Sequence, residues 1–204
     1  MKRLLLFISP TIFVMCTLLS ASGLHKKPAD FNEGIVVLHS GDTIRCELKF
    51  TRKVSEGLIQ VFRNNRVEIL TVKDVHAFSF TDKHKNAIRT FYNVTIMPEM
   101  SSRKHEVFLE LVYGTSKMLI LNHRTLGYAD NAIQINPFRK KQVVDNQYLL
   151  DSRTRVALPL SRQNALAMMS ENSKDIVPFI ENNSLKFKEV EDFVRLLDFH
   201  QSLQ

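Results

Sequence analysis

Histidine and carboxylate side chains that lie close together in sequence are the first candidates for chemistry in this chain. His76 lies on a predicted strand at 75–81, and Asp82 and His84 lie in the charged turn after it. If that turn brought two strand ends together, the three side chains would suit proton transfer or metal binding. No H-E-x-x-H or comparable ligand spacing supports a metal. A strand histidine beside a solvated turn is favoured about tenfold over a site, because turns often carry such residues.

A second pair of such residues, His39 and Asp42, lies at the first predicted hairpin. Asp42 is expected to bond backbone N–H groups of its own turn. A deep pocket that enclosed two or more of these five side chains would instead favour a small secreted hydrolase, with a site assembled from scattered residues, and would contradict a non-catalytic binding module.

Three short basic runs would bind an anionic envelope polymer if they converged on one face of the protein. Their lysines and arginines are Lys83, Lys85, Arg103, Lys104, Arg139, Lys140 and Lys141. Solvated loops are favoured over a binding surface by roughly four to one. The formal net charge of +7 is a mild bias toward anionic partners.

The composition disfavours several classes of active site. The whole chain has only six glycines, and it contains no G-x-G, P-loop or G-x-S-x-G motif. Phosphate-cradling loops need several glycines close together, so nucleotide binding and α/β-hydrolase chemistry are disfavoured. The absence of tryptophan leaves few aromatic side chains for a sugar-stacking platform. No cofactor, catalytic residue or metal ligand is predicted.

The N-terminal residues follow the order of a signal peptide. Lys2 and Arg3 precede an apolar run over residues 4–19, and small residues follow at 20–23. The run is shorter than the roughly 20 residues that span a bilayer, and Pro10 interrupts it. We therefore predict a signal peptide over residues 1–22, cleaved after Ser22 or Gly23. The mature protein is expected in the periplasm, associated with the envelope, or outside the cell.

The predicted signal peptide determines the roles expected for the two cysteines. Cys16 lies inside the apolar run after Met15, whereas a lipid-anchor cysteine should end such a run, so lipoprotein anchoring is the minority alternative. Cys46 is then the lone mature thiol and forms no intramolecular disulfide. The alternation of Ile44, Cys46 and Leu48 places it on the apolar face of a strand, as a small core residue.

Short β candidates at a spacing of about ten residues predict an antiparallel meander. The predicted strands are 34–39, 43–50, 58–63, 66–72, 75–81, 87–94, 107–113 and 117–121, with weaker candidates at 132–135 and 146–150. Helical spacing of apolar residues begins after Pro159 and predicts helices at 161–169, 173–182 and 188–202.

The predicted fold class is α+β, an antiparallel β-meander sheet or open barrel of about seven to nine short strands followed by C-terminal helices. The predicted organisation is a signal peptide at 1–22, a lead-in at 23–33, a β-rich domain at 34–158 and a helical segment at 159–204 packed on the sheet.

Five segments carry a resemblance to a known family: residues 34–44, 75–80, 108–114, 179–186 and 191–197. They contain GIVVLHSGDTI, V-x-x-F-x-F, FLELV followed by Gly114, FIENNSLK and EDFVRLL. In these segments the chain resembles an uncharacterised family of secreted Bacteroidetes proteins. The resemblance implies an envelope or extracellular location and a β-sheet domain with a helical end. It supplies no catalytic residues.

The leading hypothesis is a non-catalytic exported module that binds or scaffolds another component of the cell envelope through exposed edges and loops of its sheet. The expected partner is an envelope protein or an anionic polymer, and export argues against nucleic acid. The alternatives are the secreted hydrolase and the binder of anionic polymers described above.

Overall fold

The computed structural model describes residues 30–96, 104–127 and 142–203. In these ranges the chain forms one antiparallel sheet of ten strands that does not close, together with three α-helices. This confirms the predicted α+β meander, with slightly more strands than expected. The signal segment, Cys16 and the weak strand candidate at 132–135 lie outside the described residues.

The strands of the sheet are β1 Asn32–Leu38, β2 Thr43–Lys49, β3 Leu58–Arg63, β4 Arg66–Thr71, β5 Val75–Asp82, β6 Ala87–Ile96, β7 His105–Gly114, β8 Met118–Gly127, β9 Gln142–Asp151 and β10 Ala157–Pro159. Nine of the strands overlap predicted ones, but β8 and β9 are about twice as long as predicted. Their order across the sheet is β10-β9-β8-β7-β6-β5-β1-β2-β3-β4. Strand β10 and a 3₁₀ helix at Arg52–Glu56 are additions to the sequence-based prediction.

Turn residues explain the tight hairpins. Asn64 and Asn65 join β3 to β4 with φ angles of 50° and 62°, which asparagine adopts more readily than most residues. Gly41 has a φ of 90° in the turn between β1 and β2, where any side chain would be strained.

One pairing is not a hairpin. Strand β1 pairs with β2 on one side and with β5 on the other, with Val36 opposite Phe78. The chain therefore returns from the edge strand β4 across the sheet to continue beside β1. This return brings the end of β1 next to the start of β5.

The sheet is strongly curved at two places. Strand β10 contacts β6 although three strands lie between them in the sheet, and the 3₁₀ helix contacts β7 and β8. One core contains Val94, Leu121, Leu150 and Ala157, and a second contains Phe78, Phe91 and Phe108 with their neighbours. Both clefts described below lie along these curved regions.

Three helices pack on the sheet near its β8–β9 side: α1 Arg162–Met168, α2 Ser173–Asn182 and α3 Val190–Ser202. Ser161 caps α1 as expected, since its hydroxyl accepts a hydrogen bond from the backbone N–H of Asn164. Leu196 and Leu197 are fully buried with Ile120 and Leu149 of the sheet. Among the described residues, no helix has the length and apolar character that a membrane span needs.

Cys46 is half-buried and packs with Ile44 against the core that contains Leu48. Burial raises the pKa of its thiol to about 11, with a smaller opposing effect of Arg63. A thiol with so high a pKa is a poor nucleophile at neutral pH.

Candidate functional site

The structure separates the three residues of the first predicted cluster. His76 lies at the start of β5, whereas Asp82 ends that strand, and six residues of strand span about 20 Å. His84 lies beside Asp82 in the following turn, where its backbone N–H donates to Asp82 Oδ1 at 3.0 Å. His76, Asp82 and His84 therefore do not form one site.

Asp82 has a structural partner instead. Its Oδ2 accepts a hydrogen bond from Arg89, whose guanidinium also donates twice to Glu110 at 2.6 and 2.7 Å. Arg89 is only 6% exposed, and its guanidinium carbon lies 4.1 Å from the ring centre of Phe50. Burial alone raises the pKa of Asp82, but hydrogen bonds from the Lys85 N–H, Arg89 and the His84 N–H outweigh it, so the pKa is lowered.

The basic runs also fall at different places. Lys83 and Lys85 lie in the turn before β6, whereas Lys104 lies just before β7, at the far end of β6. Ten residues of strand separate these positions by about 30 Å. The structure thus does not bring Lys83 and Lys85 together with Lys104. Arg103, Arg139, Lys140 and Lys141 lie outside the described residues.

A polar cleft brings together two histidines that sequence reasoning treated separately. This histidine cleft has a volume of about 330 Å³. Its polar lining consists of His39, His76, Asn93, Thr95, Glu106 and Arg155. The rings of His39 and His76 meet edge to face with centroids 5.8 Å apart.

The pairing of β1 with β5 positions both histidines. His39 follows β1, and its backbone N–H donates to the Asp74 carbonyl in the turn before β5. His76 is the second residue of β5. Asp74 fixes that turn through its Oδ2, which accepts from the backbone N–H and the hydroxyl of Thr71.

Asn93 is the buried anchor of the cleft. It is 6% exposed, and its amide nitrogen donates to the carbonyls of Val72 and Val75. His39 Nε2 lies 2.9 Å from the same Val72 carbonyl. Because a carbonyl oxygen only accepts, His39 carries a proton on Nε2 in this contact.

Arg155 closes the cleft from the turn between β9 and β10. Asp151 forms that turn, since its Oδ1 accepts from the backbone N–H groups of Arg153 and Thr154. Arg155 has a φ of 56°, in the left-handed region that costs a residue with a Cβ about 1–2 kcal/mol. Its guanidinium donates to the Asn93 carbonyl at 3.1 Å and lies 3.3 Å from His76 Nε2.

The Arg155 contact fixes the protonation state of His76. A guanidinium only donates, so His76 Nε2 must accept, and the ring is neutral in this arrangement. Burial, the charge of Arg155 and the neighbouring His39 lower the pKa of His76 below its usual value. Protonation of His76 would place two positive charges in contact.

The charges of the cleft define what it can bind. Arg155 and Glu106 give its lining no net charge while both histidines are neutral, and protonation of the histidines makes it positive. Among the described residues no carboxylate pairs with the Arg155 guanidinium, and no group of three or more His, Cys, Asp or Glu side chains suits a metal ion. An anionic group is the ligand that satisfies Arg155 together with a protonated histidine.

His39 and His76 are two of the five residues whose shared pocket would favour a hydrolase, and their presence in one cleft counts for the hydrolase and against a non-catalytic module. Among the described residues, neither Nε2 atom has a carboxylate partner. His39 Nε2 contacts the Val72 carbonyl and the Asn93 amide nitrogen, and His76 Nε2 contacts the Arg155 guanidinium. Over the described ranges, the lining of the cleft contains no serine or cysteine, and its one hydroxyl belongs to Thr95. The arrangement therefore supports binding better than nucleophilic catalysis.

Sequence reasoning missed Asn93, Glu106 and Arg155 as members of one site. The Asp151 turn carried a signal, because an aspartate before Ser-Arg-Thr is typical of a turn. The direction of Arg155 depends on its left-handed backbone and on the curvature that carries β10 to β6, and neither has a sequence signature.

Comparison of the chain with protein-family models, with curated proteins and with solved structures finds no match. The resemblance to secreted Bacteroidetes proteins stays a prediction, and the function is argued from the geometry of the cleft.

Proposed function

We propose that this protein is an exported, non-catalytic binding module that holds an anionic group of an envelope component in the histidine cleft. The anionic group is a phosphate, sulfate or carboxylate. One observation carries the proposal: the guanidinium of Arg155 is held against a neutral His76 in an open cleft, without a carboxylate partner among the described residues. An arginine fork binds such oxyanions through paired hydrogen bonds.

The local backbone supports this role for Arg155. A left-handed φ favours glycine or asparagine, so an arginine here places its side chain in the cleft at a cost in backbone energy. The hydrogen bond to the Asn93 carbonyl orients the guanidinium toward the histidines.

Binding is coupled to protonation of His76. An anion between Arg155 and His76 favours the imidazolium, so it raises the pKa that the empty cleft lowers. Anions therefore bind more tightly as the pH falls from neutral toward the lowered pKa of His76 in the empty cleft. Glu106, an exposed carboxylate in the lining, opposes anion binding through its negative charge.

Calorimetric titration with inorganic sulfate tests the proposal, because sulfate keeps its charge over the range in which histidine titrates. Sulfate should bind more tightly at about pH 5.5 than at about pH 7.5. Arg155→Gln should weaken binding about tenfold or more, since a hydrogen bond to a charged group is lost. Glu106→Gln should tighten it. Arg153→Gln, in the same turn but outside the cleft, is the matched control and should change little.

Equal affinity in the R155Q and R153Q variants would overturn the anion site. The hydrolase is the second candidate, favoured by the presence of both histidines in one cleft. Turnover of p-nitrophenyl acetate or p-nitrophenyl phosphate that disappears in His76→Ala would assign catalysis and contradict the non-catalytic proposal.

A further inference from the structure

A second cavity lies on the sheet between β6, β7, β8 and the segment that follows β2. Phe91 of β6 is opposite Glu110 of β7, and Glu110 is opposite Asn122 of β8, so these side chains share one face. Phe50 and Val54 reach over this face, because the 3₁₀ helix Arg52–Glu56 contacts β7 and β8.

The walls of this phenylalanine cavity are mainly apolar. They include Phe50, Phe91, Phe108, Val54 and Val143. The ring centroids of Phe50 and Phe91 lie 5.5 Å apart, and Phe108 meets Phe78 edge to face behind them. Such rings offer both faces and edges to a further ring.

The size of the cavity indicates its occupant. Its volume is about 150 Å³, and it opens to the surface beside Val143, which is 55% exposed. An apolar cavity of about this volume binds a benzene-sized molecule. One six-membered ring therefore fits.

The polar groups around the cavity select an uncharged ligand. Both oxygens of Glu110 accept from Arg89, and Arg124 pairs with Asp145 at 2.9 Å. Asn122 donates to Asp145 through its amide nitrogen, but its buried Oδ1 has no hydrogen-bond partner in the part of the chain that the structure describes. An unmet buried acceptor costs free energy, and a ligand hydroxyl or amine supplies the missing donor.

We propose that the phenylalanine cavity is a binding site for an uncharged single-ring ligand that carries a hydrogen-bond donor, with Asn122 as its acceptor. The ring lies among Phe50, Phe91 and Phe108, and the donor group reaches the Asn122 amide. This site is independent of the anionic group proposed for the histidine cleft.

Titration of the ¹⁵N-labelled chain with phenol, benzene and benzoate, followed by NMR, tests the proposal. Phenol should bind more tightly than benzene, because only phenol donates a hydrogen bond, and benzoate should bind most weakly, because it brings a charge to a site of paired charges. The shifted amide signals should belong to residues around the cavity.

Two variants and a control sharpen the test. Val143 is 55% exposed at the cavity, so Val143→Phe should fold normally, reduce the space and weaken phenol binding about tenfold or more. Val67→Phe makes the same change at an exposed position outside the cavity and should leave binding unchanged. Asn122→Leu should reduce the affinity for phenol to that for benzene.

Absence of phenol binding, or binding that V143F and V67F affect equally, would overturn the site. If the N122L variant still binds phenol more tightly than benzene, Asn122 is not the hydrogen-bond acceptor, and the proposed role of Asn122 is wrong.

Discussion

At the scale of single residues, His76 links the histidine cleft to stability. Its pKa is lowered in the folded protein by burial, Arg155 and His39, so the unfolded chain binds a proton that the folded chain does not. The stability associated with neutral His76 is fully present above about pH 6.5 and is lost as the pH falls through the lowered pKa. His200 contributes in the same direction, because burial and Lys117 lower its pKa against the smaller opposing effect of Glu171.

We therefore expect the free energy of unfolding, measured with urea, to decrease as the pH falls from about 7 to about 5. His76→Gln removes one of these two histidines with a lowered pKa, so its pH profile should be flatter than that of the parent chain. The carboxylates whose pKa is lowered have ordinary values of 3.8 to 4.5 and therefore act mainly below this window; they are Glu68, Asp74, Asp82, Asp145 and Asp151. If the free energy of unfolding changed with pH equally in H76Q and in the parent chain, His76 would not be held neutral in the folded protein.

At the scale of elements, the ion pairs of Arg89 with Asp82 and Glu110, here called the Arg89 network, connect three neighbouring strands. Arg89 on β6 pairs with Asp82 on β5 and with Glu110 on β7, and all three side chains are largely buried. Arg89→Met should cost about 3–5 kcal/mol in the free energy of unfolding, because it leaves two buried carboxylates without their cation. The same change in Arg124, whose pair with Asp145 is exposed, should cost only about 0.2–1 kcal/mol. Urea unfolding measures both, and equal losses would refute the network.

Strand pairing shows which part of this fold can be predicted from the sequence. Alternating apolar residues and the turns at Gly41 and Asn64-Asn65 suffice to predict the hairpins, because those signals are local. The pairing of β1 with β5 has no local signal, since the two strands are far apart in the chain. Strand β10 has three residues, too few for a pattern.

The candidate site was less predictable for the same reason. His39 and His76 were separate candidates, and the β1–β5 pairing alone makes them neighbours. Proximity in sequence favours a site formed by His76, Asp82 and His84 instead. His76 and Asp82 lie near opposite ends of the extended strand β5, however, so they are far apart in space.

At the scale of the whole molecule, one sheet carries both proposed sites side by side. Asn93 of the histidine cleft is directly opposite Phe108 of the phenylalanine cavity across β6 and β7. The curvature that brings β10 to β6 forms the first site, and the 3₁₀ helix folded onto β7 and β8 forms the second. An extended, open sheet thus acquires concave surfaces without closing into a barrel.

Export is the remaining property of the whole molecule that the proposed function requires. Lys2, Arg3 and the apolar run at 4–19 predict entry into the export pathway, and the small residues after it predict cleavage. When the full chain is expressed with its own N-terminus, the protein recovered from the periplasm or medium should begin at residue 23 or 24.

Replacement of the residues before the two predicted cuts, Ser22→Leu with Gly23→Leu, should block cleavage and leave the precursor, since the peptidase pocket accepts small side chains. Ser9→Leu within the apolar run is the matched control and should be cleaved normally. N-terminal sequencing with intact mass decides the outcome. A mature chain that begins at Cys16 with added lipid mass would replace the cleaved signal with a lipoprotein anchor, and the histidine cleft would then act at a membrane surface.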